Sequence, residues 1–327
     1  MERLMKGVAV TAPGQAVIVR DIPVPEPGEY GALVRIRCCA YTGITDAGIG
    51  AERSEKDYPF IPGTGGVGAV TAVGRKVRYI TKGDRFLSPL VPPSEKYGSD
   101  RGNFAAYGIV YDVKAMLEDG ADIPVIPDGS CIPVHLPVSD SDAAMLPVIA
   151  AAISAARASE PGRNGKTAVA GSSVEAVIAK EFLSLLGEDA ILVDDRLKRA
   201  LRAGTGRSEI SDGGESERLS EALRGSCDAV VDFSGKELSK SDVSFLLRDG
   251  GVIVPASGKK DYPGSFGAVP FTSEGPDGDS YRLAMTLVGE GFIVPSSYYS
   301  DIMPVEFIGE CIRLGREGLI SAAVLSI

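Results

Sequence analysis

The chain is short of the residues on which many catalytic and structural sites depend. It has no tryptophan, a single histidine, His135, and five cysteines in 327 residues. One histidine rules out any mechanism that needs two. The cysteines, Cys38, Cys39, Cys131, Cys227 and Cys311, are odd in number and form no C-x-x-C pair, so neither a disulfide framework nor a zinc-ribbon knot is indicated. Cys38 and Cys39 sit in an alternating apolar segment, ALVRIRCCAY, and read as small buried strand residues. His135, flanked by Pro133 and Pro137 and followed by an acidic run, reads as a surface-loop residue. Positive charge is scarce too: 34 Lys and Arg face 44 Asp and Glu, a net charge of -10. That balance, with no basic stripe, would repel phosphate backbones and excludes nucleic acid as an expected partner. No stretch reaches the ~20 consecutive apolar residues of a membrane span. The N-terminus, MERLMKGVAV, lacks the apolar core of a signal peptide. A cytoplasmic protein with no membrane partner is expected.

What is present is the balance of a globular protein, 44% apolar and 24% charged. The length exceeds one ordinary core of about 100–200 residues, which predicts two domains. The N-terminal part is a series of short alternating segments broken by Gly and Pro: KGVAVTA, AVIVRDIPVP, ALVRIRCC, AVTAVG, RFLSPLV and AAYGIVY. This spacing predicts an antiparallel, barrel-like β domain. Near residue 142 the texture changes to AAMLPVIAAAISAARA, a helix leading into a second domain. The apolar strands TAVAG, AILVDD, CDAVVDFSG and GGVIVPAS follow, separated by helical spacings, which predicts βαβ units around a parallel sheet. Residues 292–327 return to strand, helix, strand. Asp128-Gly129, between apolar alternations, predicts a hairpin turn. The polar segment 205–217 predicts a loop.

Two stretches compete to be a dinucleotide phosphate site. In PFIPGTGGVGAV, Gly63, Gly65 and Gly68 fit G-x-G-x-x-G, but that fingerprint has physical meaning only between a buried strand and a helix. Pro59 and Pro62 are incompatible with a central parallel strand before it, VGAVTAVG after it alternates as a strand, and the acid that follows, Asp84, lies in the KGDRF turn. The second stretch, KTAVAGSSVEAVIAKEFLSLLGEDAILVDD, has the right context. Thr167–Ala170 predict a strand and Gly171 the turn. Val174, Val177, Ile178, Phe182, Leu185 and Leu186 mark one helical face, and Asp194 and Asp195 end the next strand. Helix N-terminal amides would face a pyrophosphate at Gly171, Ser172, Ser173 and Val174, and a strand-end Asp would accept from ribose hydroxyls. The motif is altered: Ser173 and Ala176 replace glycines, and Glu175 adds negative charge in the first helical turn. A parallel sheet that no longer binds nucleotide therefore stays an open alternative.

In order and spacing, IPVPEPGEYGALVRI, ITDAGIG, YPFIPGTGGVGAVTAVGRKVRYITKGDRF, GNFAAYGIV, the Gly171 turn, CDAVVDFSG and LLRDGGVIVPAS resemble the medium-chain dehydrogenase/reductase superfamily, in particular its zinc-dependent alcohol dehydrogenase branch. The resemblance runs over nearly the whole chain. It implies an α/β protein with a GroES-like β-barrel domain (residues 1–148 and 292–327) and a Rossmann, doubly wound parallel-sheet domain (149–291), with substrate and nicotinamide meeting in the cleft between them. It also implies where a catalytic zinc would sit. The usual Cys position, three residues before the Asp of Thr45-Asp46, is Gly43. The His and Glu of the family's P-G-H-E-G loop are Thr64 and Gly65, and the last ligand falls near Val148. Gly, Thr and Val cannot supply three converging donors, and the segment matching the structural-zinc loop, LSPLVPPSEKYGSDRG, has no cysteine. No zinc is expected.

Without a Lewis acid, alcohol oxidation is a poor fit. Zinc-free relatives pass a hydride from NAD(P)H to an activated C=C bond or a quinone, and that is the expected class. Thr45, at the family's proton-relay position, is the expected hydrogen-bond donor to substrate oxygen, Tyr41 a second acid, and Thr42, Asp46 and Thr64 line the same region. Asp46 has a plain alternative, capping a helix that starts at Ala47, and Tyr41 has another, packing under the barrel. Asp194 or Asp195 favours NAD, whereas Arg196 would tolerate the 2'-phosphate of NADP. The Ser234-Gly235 and Ala256-Ser257 turns match positions on the family's nicotinamide side. The rival expectation is a non-catalytic binding protein that keeps the fold. A homodimer paired through an edge strand near GAVPFT (267–272) is the expected assembly.

Overall fold

A computed structural model describes residues 3–63, 65–99, 102–160, 162, 165–193, 223–234, 245–256, 267–268 and 276–327. The chain forms two compact units, Met1–Val148 with Pro276–Ile327, and Ile149–Gly275.

In the first unit, β1 (Leu4–Ala12), β2 (Gln15–Pro23), β4 (Phe60–Ile61) and β7 (Gly98–Ser99) form one sheet in the order β2-β1-β4-β7. A second sheet runs β15-β16-β3-β5-β6-β9. Its strands are β3 (Gly31–Thr42), β5 (Gly66–Val73), β6 (Arg85–Leu87), β9 (Ile132–Pro133), β15 (Ile302–Pro304) and β16 (Ala322–Ser326). β8 (Tyr107–Tyr111) adds to β3. The pairings among β1, β2, β3, β5, β6 and β8 are antiparallel, as the alternating segments predict. Val8, Val10, Ile36, Ile49, Phe60, Ile61, Phe104 and Leu325 share one core with Ile308, Cys311 and Ile312.

Helices α1 (Gly43–Gly50), α2 (Val113–Asp119), α3 (Asp140–Ala144) and the start of α4 (Leu146–Ala158) accompany these strands. The apolar stretch predicted as one helix is thus two, divided at Met145 just ahead of Pro147, whose missing N–H is harmless in a first turn. By length and composition Asp140–Ala158 qualifies as a membrane-crossing helix, which the sequence reading did not anticipate, but 72% of that window is buried inside the protein. It is core.

Two expectations change here. Asp128-Gly129 does make a turn, with Ser130 N–H donating to Pro127 O at 3.1 Å, but residues 121–127 form no strand, so there is no hairpin. Pro124 and Pro127 remove the donors a strand would need. The helix Gly278–Gly289 belongs to the first unit, whose second segment starts at Pro276, where the sequence reading placed the return at 292. The contact is specific: buried Tyr281 donates its hydroxyl to Gly129 O at 3.3 Å, and Leu136 approaches Gly289.

The second unit is a parallel sheet in the order β11-β10-β12-β13-β14, from β10 (Lys166–Ala170), β11 (Asp189–Val193), β12 (Cys227–Asp232), β13 (Leu247–Val254) and β14 (Gly267–Ala268). Ala168, Ala170, Val230 and Ile253 are fully buried, as befits strands covered on both faces. Helix α5 (Val174–Leu185) follows β10. Its buried rows are Val174-Ile178-Phe182 and Glu175-Ala179-Leu183, while Leu185 and Leu186 are about half exposed. The buried face is therefore rotated from the predicted one, with Leu183 in place of the two terminal leucines.

With α6 (Gly278–Gly289) and α7 (Ile308–Arg316), the architecture is α/β, a β domain of two sheets and a domain built on a parallel sheet.

Candidate functional site

In the second unit, parallel register brings one end of every strand to the same edge. Ala170 pairs with Val193 and with Asp232, and Val231 pairs with Val254. The residues that follow these strands therefore stand side by side: Gly171 after β10, Ser234 after β12 and Ala256 after β13. The carboxyl edge of an open parallel sheet is where such folds bind ligands. Gly171 has φ +134° and donates to Val193 O at 3.0 Å, while Phe233 N–H donates to Ala170 O at 2.7 Å. A Cβ at Gly171 would sit 3.1 Å from the Phe233 backbone, so glycine is required by both torsion and space. Ser234 N–H donates to the buried Asp232 carboxylate at 2.8 Å, which fixes the turn after β12, and Ala256 is buried beside Val254.

The N-terminus of α5 follows the Gly171 turn. Ser173 is the N-cap, and its hydroxyl accepts from Ala176 N–H at 3.4 Å. Ser172 is exposed, Val174 is buried, and Glu175 in the first turn is 0% exposed. A Gly turn, a helix start and adjacent strand ends fit a dinucleotide. Asp194, Asp195, Arg196, Gly235 and Ser257 lie outside the described residues.

In the first unit, Thr45 and Gly65 both approach Ala40. Thr45, half-buried in α1, places its hydroxyl 3.5 Å from Ala40 O, and Ala40 N–H donates to Gly65 O at 3.4 Å. A Cβ at Gly65 would meet Ala144 O and Pro147, each at 3.6 Å. Of the positions the resemblance equates with zinc ligands, Gly43 begins α1 and Val148 lies at the start of α4, next to Pro147, which faces Gly65. Thr64 is outside the described residues, and Asp46 lies within α1, whose side chain there is likewise not described. Since α1 begins at Gly43, no helix starts at Ala47. Among the described residues, no three His, Cys, Asp or Glu side chains gather as a metal-binding group.

Tyr41 is corrected by the structure. It is 2% exposed in the first unit's core, with its hydroxyl 3.0 Å from where a Cβ on Gly315 of α7 would lie, a packing residue beneath the sheet rather than a group open to substrate. Thr42 is buried and stands as N-cap of α1 without a side-chain cap. His135 is exposed, as expected.

The Gly63-x-Gly65-x-x-Gly68 stretch is no phosphate loop, because β5 starts at Gly66. Its glycines answer to packing. Gly63 has φ +104° against Phe104, and a Cβ on Gly68 would fall 2.2 Å from Arg35 O. Asp84 holds its own turn by accepting from Thr81 N–H at 2.7 Å.

The residue that fastens this loop escaped the sequence reading. Asn103 is fully buried; its Oδ1 accepts from Gly66 N–H at 2.9 Å, and its Nδ2 donates to Pro89 O at 2.6 Å. Its carbonyl accepts from the Cys39 thiol at 2.7 Å, and its N–H donates to Gly63 O at 3.2 Å. A Cβ at Gly66 would meet Asn103 Cβ at 2.8 Å. A lone Asn in GNFAAY carries no spacing signal that would have marked it. The nearby thiols are not nucleophiles at neutral pH. Burial, with the neighbouring Asp140, raises Cys38 to about 11, and burial holds Cys39 well above the usual thiol range.

Comparison with known proteins agrees with the fold. The chain is 28% identical over 150 residues to an alcohol dehydrogenase of Rhizobium meliloti (strain 1021), covering 37% of this chain and 43% of that protein. It is 26% identical over 115 residues to a quinone oxidoreductase of Lama guanicoe, covering 34% and 32% respectively. Each match thus spans less than half of the relative's length. A thermostable alcohol dehydrogenase from Pyrobaculum aerophilum superposes with a TM-score of 0.72 over 99% of this chain and 100% of that one, at 17% identity. A candidate zinc-binding dehydrogenase from Sinorhizobium meliloti 1021, bound to NADP, does so with a TM-score of 0.70 over the whole of both chains, also at 17% identity.

The chain is similar to medium-chain dehydrogenase/reductase proteins, in sequence over about a third of its length and in fold over the whole.

No family profile matches it. Within the superfamily fold, the first unit corresponds to the GroES-like domain and the second to the Rossmann domain. The structural likenesses, at their low identity, speak to the fold alone.

Proposed function

We propose that the chain is a nicotinamide-dependent oxidoreductase that works without catalytic zinc and reduces an activated C=C bond, a quinone or a carbonyl of a small molecule. The observation that carries the reading is the carboxyl edge of the parallel sheet, where Gly171, Ser173, Ser234 and Ala256 are brought together beside the N-terminus of α5. These residues, with Asp194, Asp195 and Arg196 beyond β11, would hold the dinucleotide, and the adjacent acids favour NAD slightly over NADP. Bound there, the reduced nicotinamide supplies a hydride to carbon. Thr45 would donate a hydrogen bond to the substrate oxygen as charge develops on it, a role open to a half-buried hydroxyl at the start of α1. The zinc-free reading rests on Gly43, Thr64 and Val148 at the positions of the three usual ligands, which cannot supply three converging donors. A conjugated acceptor suits such a site because its negative charge is delocalised and needs hydrogen-bond help rather than a metal. The proposal includes a cytoplasmic homodimer with no nucleic-acid or membrane partner.

A non-catalytic binding protein is the second reading. It is favoured by the two departures at α5, the Ser173 cap and buried Glu175.

The test is to follow NADH and NADPH oxidation by the purified chain with quinones, enones and aldehydes, together with metal analysis. Turnover of a conjugated acceptor that survives chelator, and falls about tenfold or more in Thr45→Val, is the expected result. Stoichiometric zinc with chelator-sensitive turnover would contradict the zinc-free reading. Nicotinamide binding without turnover of any acceptor would favour the non-catalytic one.

A further inference from the structure

In the resemblance drawn above, the segment LSPLVPPSEKYGSDRG takes the place of a four-cysteine structural zinc loop, yet it carries neither cysteine nor histidine. A tetrahedral structural zinc is held by such ligands, so the residues present do not fit that metal. The loop is nevertheless folded back onto the first unit. Val91 is buried in the core that holds Phe60 and Ile61, and after the largely exposed stretch 92–96 the Tyr97 ring returns to that core at 3% exposed. The Tyr97 hydroxyl donates to Asp21 Oδ1 of β2 at 2.6 Å, and Lys96 pairs with the other oxygen of the same carboxylate. Backbone bonds complete the fold of the loop. Ser94 N–H donates to Tyr97 O at 2.8 Å, Tyr97 N–H to the Ser94 hydroxyl at 3.0 Å, and Gly98 N–H to Pro59 O at 2.9 Å, where β7 begins to pair with β4. Ser99 then donates its hydroxyl to Val91 O at 2.5 Å and closes the loop.

These contacts are unequal. The side chains of Lys96 and Asp21 are 62% and 45% exposed, and an ion pair so open to water adds little. The Tyr97 ring leaves water almost completely, and its hydroxyl meets an acceptor where it emerges. Lys96 and then Tyr97 hold the Asp21 carboxyl below its ordinary 3.8, while burial and then Asp21 raise the Tyr97 phenol, so at neutral pH a neutral phenol donates to an ionised carboxylate. We infer that this loop is held by a metal-free clasp in which the buried Tyr97 ring and its bond to Asp21 are the anchor and Lys96 is an accessory. The clasp does for the segment what a metal knot would do, from one aromatic residue and one carboxylate on a neighbouring strand. It stands independently of the nicotinamide reading.

The experiment follows amide hydrogen exchange of the full chain, before and after dialysis against a chelator, and of Lys96→Ala, Tyr97→Phe and Tyr97→Ala. The Gly98 amide reports on the loop, and the amides of β3 and β8 report that the rest of the unit stays folded. Chelation and Lys96→Ala are each expected to change Gly98 exchange by less than about twofold. Tyr97→Phe, which keeps the ring and removes only the donor, should speed it by about fivefold or more, and Tyr97→Ala by about a hundredfold or more, with new protease cleavage at 92–96. Tyr97→Phe keeps the test decisive if Tyr97→Ala does not fold. A rise of about tenfold on chelation, reversed by added zinc, overturns the inference, because a metal would then hold the loop. Tyr97→Phe exchanging like the parent also overturns it, and so does Lys96→Ala loosening the loop as much as Tyr97→Phe, because the ion pair would then be the anchor.

Discussion

Truncating Asn103 to alanine tests the clamp on the loop before β5. Its amide satisfies two buried backbone groups, Gly66 N–H at 2.9 Å and Pro89 O at 2.6 Å, both on residues shielded from solvent. Removing the side chain leaves a donor and an acceptor without that partner, at about 1–3 kcal/mol each. The volume lost beside Gly66 adds a cavity term, since the two residues are already in close contact. A loss of about 3–5 kcal/mol is expected for the first unit. Asn103→Asp retains the oxygen facing Gly66 but sets a second oxygen against Pro89 O, so it should be at least as damaging. Urea unfolding measures the loss, and native-state hydrogen exchange localises it: the Gly66 amide should exchange far faster in Asn103→Ala, while amides of β10 in the second unit keep their protection. A destabilisation below about 0.5 kcal/mol with unchanged Gly66 protection would refute the reasoning.

Three further outcomes follow from the geometry. Gly171→Ala forces a Cβ to within 3.1 Å of the Phe233 backbone at φ +134°, so it should lower the melting temperature of the second unit and weaken nucleotide binding together, by circular dichroism and titration. Burial pushes the Asp112 carboxyl up, but amide bonds from Tyr79, Ala115 and Arg78 outweigh it and hold the group below its ordinary 3.8. Its stabilisation is present above that value and lost as pH falls through the folded one. Asp112→Asn should therefore cost about 1–3 kcal/mol near neutral pH in urea titrations, with the gap to the parent narrowing below about pH 4. Burial raises all five thiols, with Cys38 and Cys311 at about 11 and Cys131 at about 12, so iodoacetamide at pH 8 should label the native protein slowly and the urea-unfolded protein rapidly.

The second unit was legible in the sequence because its signals are local. TAVAG is an apolar run with a glycine at its end, and β10, the Gly171 turn and α5 occur where it places them. The same holds for the G-x-G-x-x-G decoy, betrayed by Pro59, Pro62 and the alternation behind it. What escaped depends on distant partners. The helix Gly278–Gly289 joins the first unit because Tyr281 reaches Gly129, a contact across 152 positions. Tyr41 reads as an acid beside Thr45, yet strand alternation turns it toward Gly315. In GITDAGIG three glycines blur helical periodicity, so the true start of α1 at Gly43 was invisible. Asn103 acts through a side-chain clamp that no composition or spacing announces.

The central claim is that the carboxyl edge at Gly171, Ser234 and Ala256 holds a nicotinamide dinucleotide. Equilibrium titration of the purified chain with NADH and NADPH tests it most directly. Saturable binding of one nucleotide per chain, abolished in a folded Ser173→Asp variant that adds a second acid at the helix cap, is the predicted result. No saturable binding of either nucleotide up to about 1 mM would contradict the account.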